Sequence, residues 1–140
     1  MVPPKTNLHV ICDTNENSLS RAKTHYSDKT LYSKDYKSFL QDKSIDAFAV
    51  STSTEASYQI AIDTLNAGKH LFIEKPMAIN TELASNIYNL AKEKSLIVHC
   101  DHIMVFHPII KHIKKMYDSG ELGELIYFKG AFLLGLVHFF

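Results

Sequence analysis

Short apolar runs alternate with amphipathic stretches along most of the sequence, and this alternation constrains the fold more than any other feature. The apolar runs predict strands at residues 8–13, 31–32, 45–52, 70–74 and 96–101. The stretches between and after them predict helices at residues 18–26, 33–40, 55–67, 80–94 and 108–118. Strands that are apolar along their whole length and alternate with helices are typical of a parallel sheet covered on both faces. The sequence therefore predicts an α/β fold.

The expected ends of these helices follow from their flanking residues. Asn15 or Asn17, Ser33 and Asn80 are the expected N-caps, because their side chains can accept a hydrogen bond from the first turn. Gly68 is the expected stop of the helix at 55–67, since glycine adopts positive φ readily. A last strand is predicted to open at residues 125–130, after a domain boundary near residues 120–123.

The charge balance excludes two classes of partner. Fifteen basic and fifteen acidic residues cancel, which leaves no net positive surface for nucleic acid or an anionic membrane. The apolar stretch at 131–140 is too short to span a bilayer. The first residues contain no apolar core of a secretory signal, and two cysteines in apolar runs suit a reducing compartment. A cytoplasmic location is the resulting prediction.

Polar side chains follow four of the predicted strands, at the point where each strand ends. Doubly wound sheets bind ligands beyond the carboxyl ends of their strands, so these groups are expected to gather at one edge. The groups are Asp13, then Thr52 and Ser53, then Glu74, Lys75 and Pro76, and finally Asp101 and His102. The sequence therefore predicts a ligand site along this edge.

Three of these side chains suggest specific chemistry, and each has a simpler interpretation. The Asp13 carboxylate can accept hydrogen bonds from a ribose diol, or it can stabilise a helix N-terminus. Lys75 can polarise a substrate oxygen, or it can be a surface lysine paired with Glu74. His102 can exchange a proton with substrate, or it can be an ordinary histidine at a strand end. The residues alone leave these alternatives open.

The run from His99 to His102 contains two histidines, a cysteine and an aspartate, which are all possible metal ligands. Side chains alternate across a strand, so His99 and Asp101 are expected on one face, and Cys100 and His102 on the other. The pattern therefore predicts no metal site.

Several segments in order resemble one protein family. The segment AGKHLFIEKPMAIN (residues 67–80) resembles the AGKHVxxEKPxA segment of the glucose–fructose oxidoreductase and inositol 2-dehydrogenase family (Gfo/Idh/MocA). The aspartate-ended strand at Asp13, IDAFAVSTST (45–54) and DSGELGELIYFKG (118–130) support the likeness. The resemblance implies an incomplete Rossmann-type doubly wound parallel sheet, a nucleotide-binding domain at residues 1–120, and the start of an α+β substrate domain at 121–140.

The resemblance implies a nicotinamide dinucleotide as cofactor. Asp13 would hold the adenosine ribose hydroxyls and favour NAD over NADP. Thr52 and Ser53 would lie along the cofactor, Glu74 would bind near the nicotinamide ribose, and Pro76 would turn the chain there. These residues, with Lys75, form the expected cofactor site.

The resemblance also implies a substrate and a reaction. Lys75 would be the catalytic or substrate-orienting lysine of the EKP motif, and His102 would relay a proton. Asp101 and His102 resemble the strand-end motif of a branch that acts on sugars, nucleotide-sugars or polyols. The expected parent reaction is hydride transfer between a nicotinamide ring and a carbinol carbon of such a substrate.

The sequence departs from the family pattern in ways that affect these expectations. All five glycines lie at Gly68 or later, so the usual first strand and GxGxxG-like phosphate loop have no counterpart. Ser53 and Ser57 replace a proline and a histidine of many members, Val105 replaces an arginine of some branches, and residues 131–140 match poorly. We expect weak cofactor binding or none, and a chain that is inactive by itself.

The missing first strand also predicts a structural defect. In the usual strand order that strand is central, so its removal leaves two inner sheet edges without partners. A second interpretation follows, in which the chain is a non-catalytic remnant or a module that binds a partner. A second copy of the chain and a complementing chain are then the two protein partners to be tested.

Overall fold

The computed structural model describes residues 6–26 and 28–129, in which five strands alternate with helices. The strands are β1 (Val10–Cys12), β2 (Leu31–Ser33), β3 (Ala47–Val50), β4 (His70–Ile73) and β5 (Val98–Cys100). The α-helices are α1 (Glu16–Lys23), α2 (Thr54–Asn66), α3 (Thr81–Glu93) and α4 (Pro108–Asp118), and short 3₁₀ helices lie at Lys37–Phe39 and Ile103–Phe106. This order confirms the predicted α/β class.

The strands form two separate parallel sheets. β1 pairs with β2, and β3, β4 and β5 pair in that order. Within the described residues, no strand joins β1 to β3. The division lies where the first strand of a Rossmann fold would stand, beside β1 on one side and β3 on the other. The predicted incomplete Rossmann-type sheet is confirmed, and among the described strands β1 and β3 are each paired along one edge only.

The main hydrophobic core lies between the three-stranded sheet and helices α2 and α3. Its buried members are Val50, Ala61, Leu65, Leu71, Ile73, Ile87 and Ala91. Leu65, Ile73 and Ile87 are completely buried, and full burial of such a side chain stabilises the fold by about 1.5–3 kcal/mol. The two-stranded sheet packs against α1 instead, where Leu19 is the buried side chain of the helix. The core thus fixes the positions of β3, β4 and β5.

Capping side chains explain where α1 and α3 begin, and a glycine explains where α2 stops. The Asn15 side chain accepts a hydrogen bond from the Asn17 amide, and the Asn80 side chain accepts one from the Leu83 amide. These bonds confirm Asn80 as the N-cap of α3 and show that the N-cap of α1 is Asn15, not Asn17. Gly68 follows α2 with a φ of 75°, as its predicted role as a helix stop requires.

The predicted helix at residues 33–40 is wrong, because only Lys37–Phe39 forms a 3₁₀ helix there. Ser33 is the last residue of β2, and its hydroxyl oxygen accepts a hydrogen bond from the Asp35 amide at 3.0 Å. The Asp35 carboxylate in turn accepts one from the Lys37 amide at 2.9 Å. These local bonds turn the chain in a way that competes with an α-helix.

The predicted last strand is also wrong for its described part. Residues 125–129 form no strand, and the Ile126 side chain is 93% exposed. A strand is stable only when a neighbour accepts its backbone hydrogen bonds, and no described strand pairs with this segment. Gly130 and the apolar stretch at 131–140 lie outside the described residues.

The chain divides into two compact units, one ending at Asp101 and one beginning at His102. The first contains both sheets and helices α1 to α3. The second contains α4, which begins at Pro108 and ends at Asp118 as predicted. The domain boundary proposed near residue 120 stays a prediction. None of the described helices is long and apolar enough to cross a bilayer.

Candidate functional site

The register of the three-stranded sheet places three of the predicted strand ends in one row. Val50 lies beside Ile73, and Ile73 lies beside Cys100. The pairing continues one residue further, because the Glu74 amide donates to the Val50 carbonyl and the Asp101 amide donates to the Ile73 carbonyl, both at 2.9 Å. Residues 52–53, 74–75 and 101 therefore share one edge of the sheet.

Thr52 and Ser53 form the junction between β3 and α2. The Thr52 and Ser57 hydroxyl oxygens lie 2.9 Å apart, and Ser57 is only 3% exposed. Ser53 occupies the N-cap position of α2, yet its side chain makes no capping hydrogen bond. The Ser53 hydroxyl is exposed at the positive end of the helix dipole, where it can donate to an anionic or hydroxylic ligand.

Sequence reasoning assigned no role to Ser57, which holds Thr52 in place. The signal for it was the spacing of the two residues, five apart across a strand-to-helix junction. That spacing becomes meaningful only when the first turn of α2 is known to fold back toward the end of β3. The contact with the buried Ser57 hydroxyl restrains the hydroxyl of the exposed Thr52.

Glu74 and Lys75 follow β4. The Lys75 amide donates to Glu74 Oε2 at 3.1 Å, so this carboxylate contacts the Lys75 backbone. The Lys75 side chain is exposed, and none of the ion pairs found in residues 6–26 and 28–129 includes its ammonium. The Lys75–Pro76 peptide bond is cis. The simpler interpretation of Lys75, an ion pair with Glu74, is therefore not observed among the described residues.

Cys100 lies between the two acidic strand ends. Burial raises the pKa of its thiol, the Met77 amide lowers it through a hydrogen bond, and the Asp101 and Glu74 carboxylates raise it further. The thiol is therefore protonated at neutral pH and a poor nucleophile.

Asp13 ends β1 in the other sheet. Its amide donates to the Ser33 carbonyl at 3.1 Å, and its Oδ1 accepts from the Asn15 amide at 2.8 Å. The carboxylate thus supports the turn into α1, which is part of the simpler interpretation. A carboxylate can accept several hydrogen bonds, so Oδ2 can accept one from a ligand hydroxyl.

His102 is the first residue of the second compact unit, whereas the row of strand ends belongs to the first. It is exposed and precedes the 3₁₀ helix Ile103–Phe106. His99 stacks on Phe72, with ring centroids 5.4 Å apart. Among the described residues, no three histidine, cysteine or acidic side chains are grouped to share a metal ion.

Comparison with known proteins gives the same fold and a related chemistry. The family model described as "Oxidoreductase family, NAD-binding Rossmann fold" (GFO_IDH_MocA) matches residues 2–102. The scyllo-inositol 2-dehydrogenase (NAD(+)) of Bacillus subtilis is 31% identical over 99 residues, which are 71% of this chain and 29% of that protein.

Two solved structures show the likeness in three dimensions. A probable dehydrogenase from Thermotoga maritima superposes with a TM-score of 0.74 and 25% identity, over 85% of this chain and 36% of that one. A 3-ketoreductase from Actinomadura kijaniata in complex with NADP gives 0.70 and 22%, over 83% and 35%. This chain spans between a quarter and a third of the length of the first curated relatives it matches.

Proposed function

This chain belongs to the Gfo/Idh/MocA family of oxidoreductases with an NAD-binding Rossmann fold, and from that membership we propose that its strand ends form the NAD side of a dehydrogenase site. The substrate class is a sugar, nucleotide-sugar or polyol, whose carbinol carbon is oxidised or formed. The single observation that carries the proposal is the shared edge of residues 52–53, 74–75 and 101, set by the register of β3, β4 and β5.

The polar groups at this edge, together with Asp13 of the other sheet, suit the two ribose portions of the cofactor. Asp13 Oδ2 can accept from the adenosine ribose hydroxyls, while its Oδ1 is held by the Asn15 amide. Glu74 can accept from the nicotinamide ribose, and the hydroxyls of Thr52 and Ser53 can contact the cofactor between these points. The described residues offer no glycine-rich cradle for the pyrophosphate, since the glycines begin at Gly68. The site is therefore half of a dinucleotide site.

Bound NAD supplies the hydride acceptor or donor of the reaction. Lys75 binds the substrate oxygen through its ammonium and stabilises the negative charge that develops there. Pro76 directs the chain after the lysine, and Asp101 accepts a hydrogen bond from a neighbouring substrate hydroxyl. His102 holds or releases the hydroxyl proton, which leaves as the carbinol is oxidised.

We propose NAD as the preferred dinucleotide. The 2′-phosphate of NADP would bring negative charge against the Asp13 carboxylate at the end of β1, and like charges repel. For the 140 residues by themselves, which include no glycine-rich cradle, we expect a Kd of about 1 mM for NAD, equivalent to about −4 kcal/mol.

Titration of the full 140-residue chain with NAD, followed by amide NMR shifts, tests this proposal. We expect shifts to cluster at Asp13, Ser53 and Lys75 with NAD and to be weaker with NADP. Asp13→Asn keeps an acceptor oxygen but removes the charge, so it should weaken NAD binding about tenfold and reduce the preference over NADP.

Asp118→Asn is the matched control, because Asp118 pairs with Lys114 on α4 and has no proposed role in binding. It should leave the titration unchanged. The absence of shifts at 10 mM NAD, or shifts confined to α4, would contradict the proposal.

A second function is favoured by the division of the sheet. A chain with two open inner edges can bind another polypeptide there, with or without catalysis. The amide titration separates the two functions, because a partner-binding module requires no nucleotide-dependent shifts at Asp13 or Lys75.

A further inference from the structure

An ion pair lies at the end of the two-stranded sheet, close to Asp13 in the chain and in the sheet. The Lys34 ammonium lies 2.7 Å from Glu16 Oε2. We propose that this pair is a second determinant of dinucleotide choice, in which Glu16 occupies the Lys34 ammonium that would otherwise bind the 2′-phosphate of NADP. The inference rests on the proposed function, because it concerns the adenosine end of the same site.

The pairing of β1 with β2 places Lys34 next to Asp13. Cys12 lies beside Ser33, and the Asp13 amide donates to the Ser33 carbonyl at 3.1 Å. Asp13 and Lys34 are the next residues of the two parallel strands, so both stand at the carboxyl edge of this sheet. In a doubly wound fold, an acidic residue at this edge binds the ribose 2′-hydroxyl, and a basic residue nearby accommodates a 2′-phosphate.

Glu16 reaches the same edge from α1. It is the first residue of that helix, and the bond from the Asn15 amide to Asp13 Oδ1 holds the turn that leads to it. The hydrogen bond from Lys34, followed by the charge of Lys34, lowers the pKa of Glu16, so the carboxylate is ionised at neutral pH. The pair therefore links the two turns that follow β1 and β2.

The pair is open to a ligand, because both side chains are 59% exposed. An exposed ion pair contributes little to stability, since water screens it and two long side chains lose freedom in it. Lys23, a second cation that acts on Glu16, lies over the Tyr32 ring, 5.5 Å from the ring centre. Lys34 is therefore the cation whose partner can change on binding, and a substitution at Glu16 should leave the fold intact.

The Glu16 charge decides what a 2′-phosphate meets at this edge. With Glu16 present, the phosphate meets two carboxylates and an ammonium that is already paired. Without that charge, it meets the Asp13 carboxylate and a Lys34 ammonium that can donate to its oxygens. The loss of one repulsion and the gain of one charge-assisted hydrogen bond at an exposed site should together raise affinity about fivefold. Glu16 thus strengthens the preference for NAD that Asp13 alone would give.

The test compares two nucleotides that differ only at the 2′-position, 5′-AMP and adenosine 2′,5′-bisphosphate. Each is titrated into the full 140-residue chain, and the amide shifts of Asp13 and Asn15 report the affinity. Glu16→Gln should raise the affinity for the bisphosphate about fivefold and change the affinity for 5′-AMP by less than about twofold. With whole dinucleotides, the same substitution should narrow the preference for NAD over NADP.

A double-mutant cycle assigns the gain to Lys34. In a Lys34→Met background, Glu16→Gln should raise the affinity for the bisphosphate by at most about twofold, because only the repulsion is removed. Lys34→Arg keeps a cation and should retain the full gain. Asp118→Asn is the matched control, since it removes one negative charge from another exposed ion pair, with Lys114, and should leave both affinities unchanged. Melting curves of all these variants should match that of the parent chain.

The inference is wrong, and the proposed function is unaffected, when NAD shifts the Asp13 amide but Glu16→Gln gives no gain for the bisphosphate. The same conclusion follows from an equal gain in the Lys34→Met background, which would mean that Glu16 acts through its own charge alone. An equal gain for 5′-AMP, or from Asp118→Asn, would likewise exclude a contact between Lys34 and the 2′-phosphate. Absence of shifts with both nucleotides and with NAD would overturn the proposed function and this inference together.

Discussion

At the scale of single residues, hydrogen bonding decides how a buried or half-buried hydroxyl affects stability. The Tyr36 hydroxyl donates to Asp63 Oδ2 at 2.7 Å, and burial, followed by this bond to a carboxylate, raises the pKa of Tyr36 to about 12. The folded state therefore holds this proton more tightly than the unfolded chain, in which a tyrosine titrates near ~10. The resulting stabilisation is complete below pH ~10 and is lost as the pH rises toward 12.

We expect Tyr36→Phe to remove this component of the alkaline loss of stability. Urea unfolding midpoints measured from pH 8 to 12 should fall less steeply above pH 10 in this variant than in the parent chain. Tyr88→Phe is the control, because Tyr88 is 63% exposed on α3 and should leave the slope unchanged. An identical slope in Tyr36→Phe and the parent would show that the Tyr36–Asp63 bond is not formed in solution.

Thr64 shows the opposite situation. It is completely buried on α2, and its hydroxyl oxygen has no hydrogen-bond partner among the described residues. Replacing an unsatisfied buried hydroxyl with a methyl group of similar shape removes a desolvation cost of about 1–3 kcal/mol. Thr64→Val should therefore raise the thermal midpoint by several degrees, as measured by circular dichroism. A lower midpoint in Thr64→Val than in the parent would mean that the hydroxyl is satisfied in solution.

Ser57 provides the comparison within the same helix, because its buried hydroxyl is paired with Thr52. Ser57→Ala should lower the midpoint, since it removes the hydrogen bond between the Ser57 and Thr52 hydroxyls. The two substitutions on one helix should thus change stability in opposite directions, because one buried hydroxyl has a hydrogen-bond partner and the other has none among the described residues.

At the scale of elements, the sequence predicted what local chemistry determines. Helix α4 begins and ends where Pro108 and the last periodic residue indicated, and Asn80 caps α3 as expected. The strands are shorter than their apolar runs, because pairing with a neighbour ends before the apolar residues do: the run at 45–52 yields Ala47–Val50. The helix predicted at 33–40 failed because the bonds of Ser33 and Asp35 to nearby amides were not recognised.

The candidate site was predictable to the same extent. Parallel alternation alone placed Thr52, Glu74 and Asp101 at one edge, and the register confirms that arrangement. The buried Ser57 hydroxyl was missed, because its contact depends on how α2 returns over β3. The position of His102 relative to that edge depends on two separate compact units, which sequence patterns do not specify.

The cap of α3 carries an element-scale prediction. The Asn80 side chain accepts from the Leu83 amide at 2.9 Å, and α3 supplies Ile87 and Ala91 to the core. Asn80→Ala should lower the free energy of unfolding by about 1 kcal/mol, because it leaves that amide without an acceptor. Asn80→Asp retains the acceptor and should cost little. Equal losses in the two variants, measured by urea unfolding, would exclude capping as the cause.

At the scale of the whole molecule, stability is distributed unevenly between the two sheets. The completely buried large side chains lie in β4, α2 and α3, whereas α1 contributes Leu19 to the two-stranded part. The strand order of the family predicted this division, because the first strand of that order would join the two sheets, and these residues do not include it. A part of a fold with little buried apolar area opens at lower free energy than the rest. We therefore expect β1, α1 and β2 to open before the three-stranded sheet does.

Native-state hydrogen exchange tests this order. The Asp13 and Leu31 amides, bonded across β1 and β2, should exchange with a lower opening free energy than the Leu71 amide of β4. Leu19→Ala should remove about 2–5 kcal/mol from the β1–β2 side only, within the limit of that side's own stability, and leave Leu71 protection unchanged.

Ile87→Ala is the matched core truncation, and it should lower protection chiefly at Leu71, because the Asp13 and Leu31 amides already exchange through the lower-energy opening of the β1–β2 side. Leu19→Ala that reduces Leu71 protection as strongly as Ile87→Ala does would show one cooperative unit instead. Separate opening would have a consequence for binding. Asp13 would then lie on the part that opens first, and a ligand that needs both Asp13 and Lys75 would be released by either opening, so it should slow exchange at β1 and at β4 by the same factor.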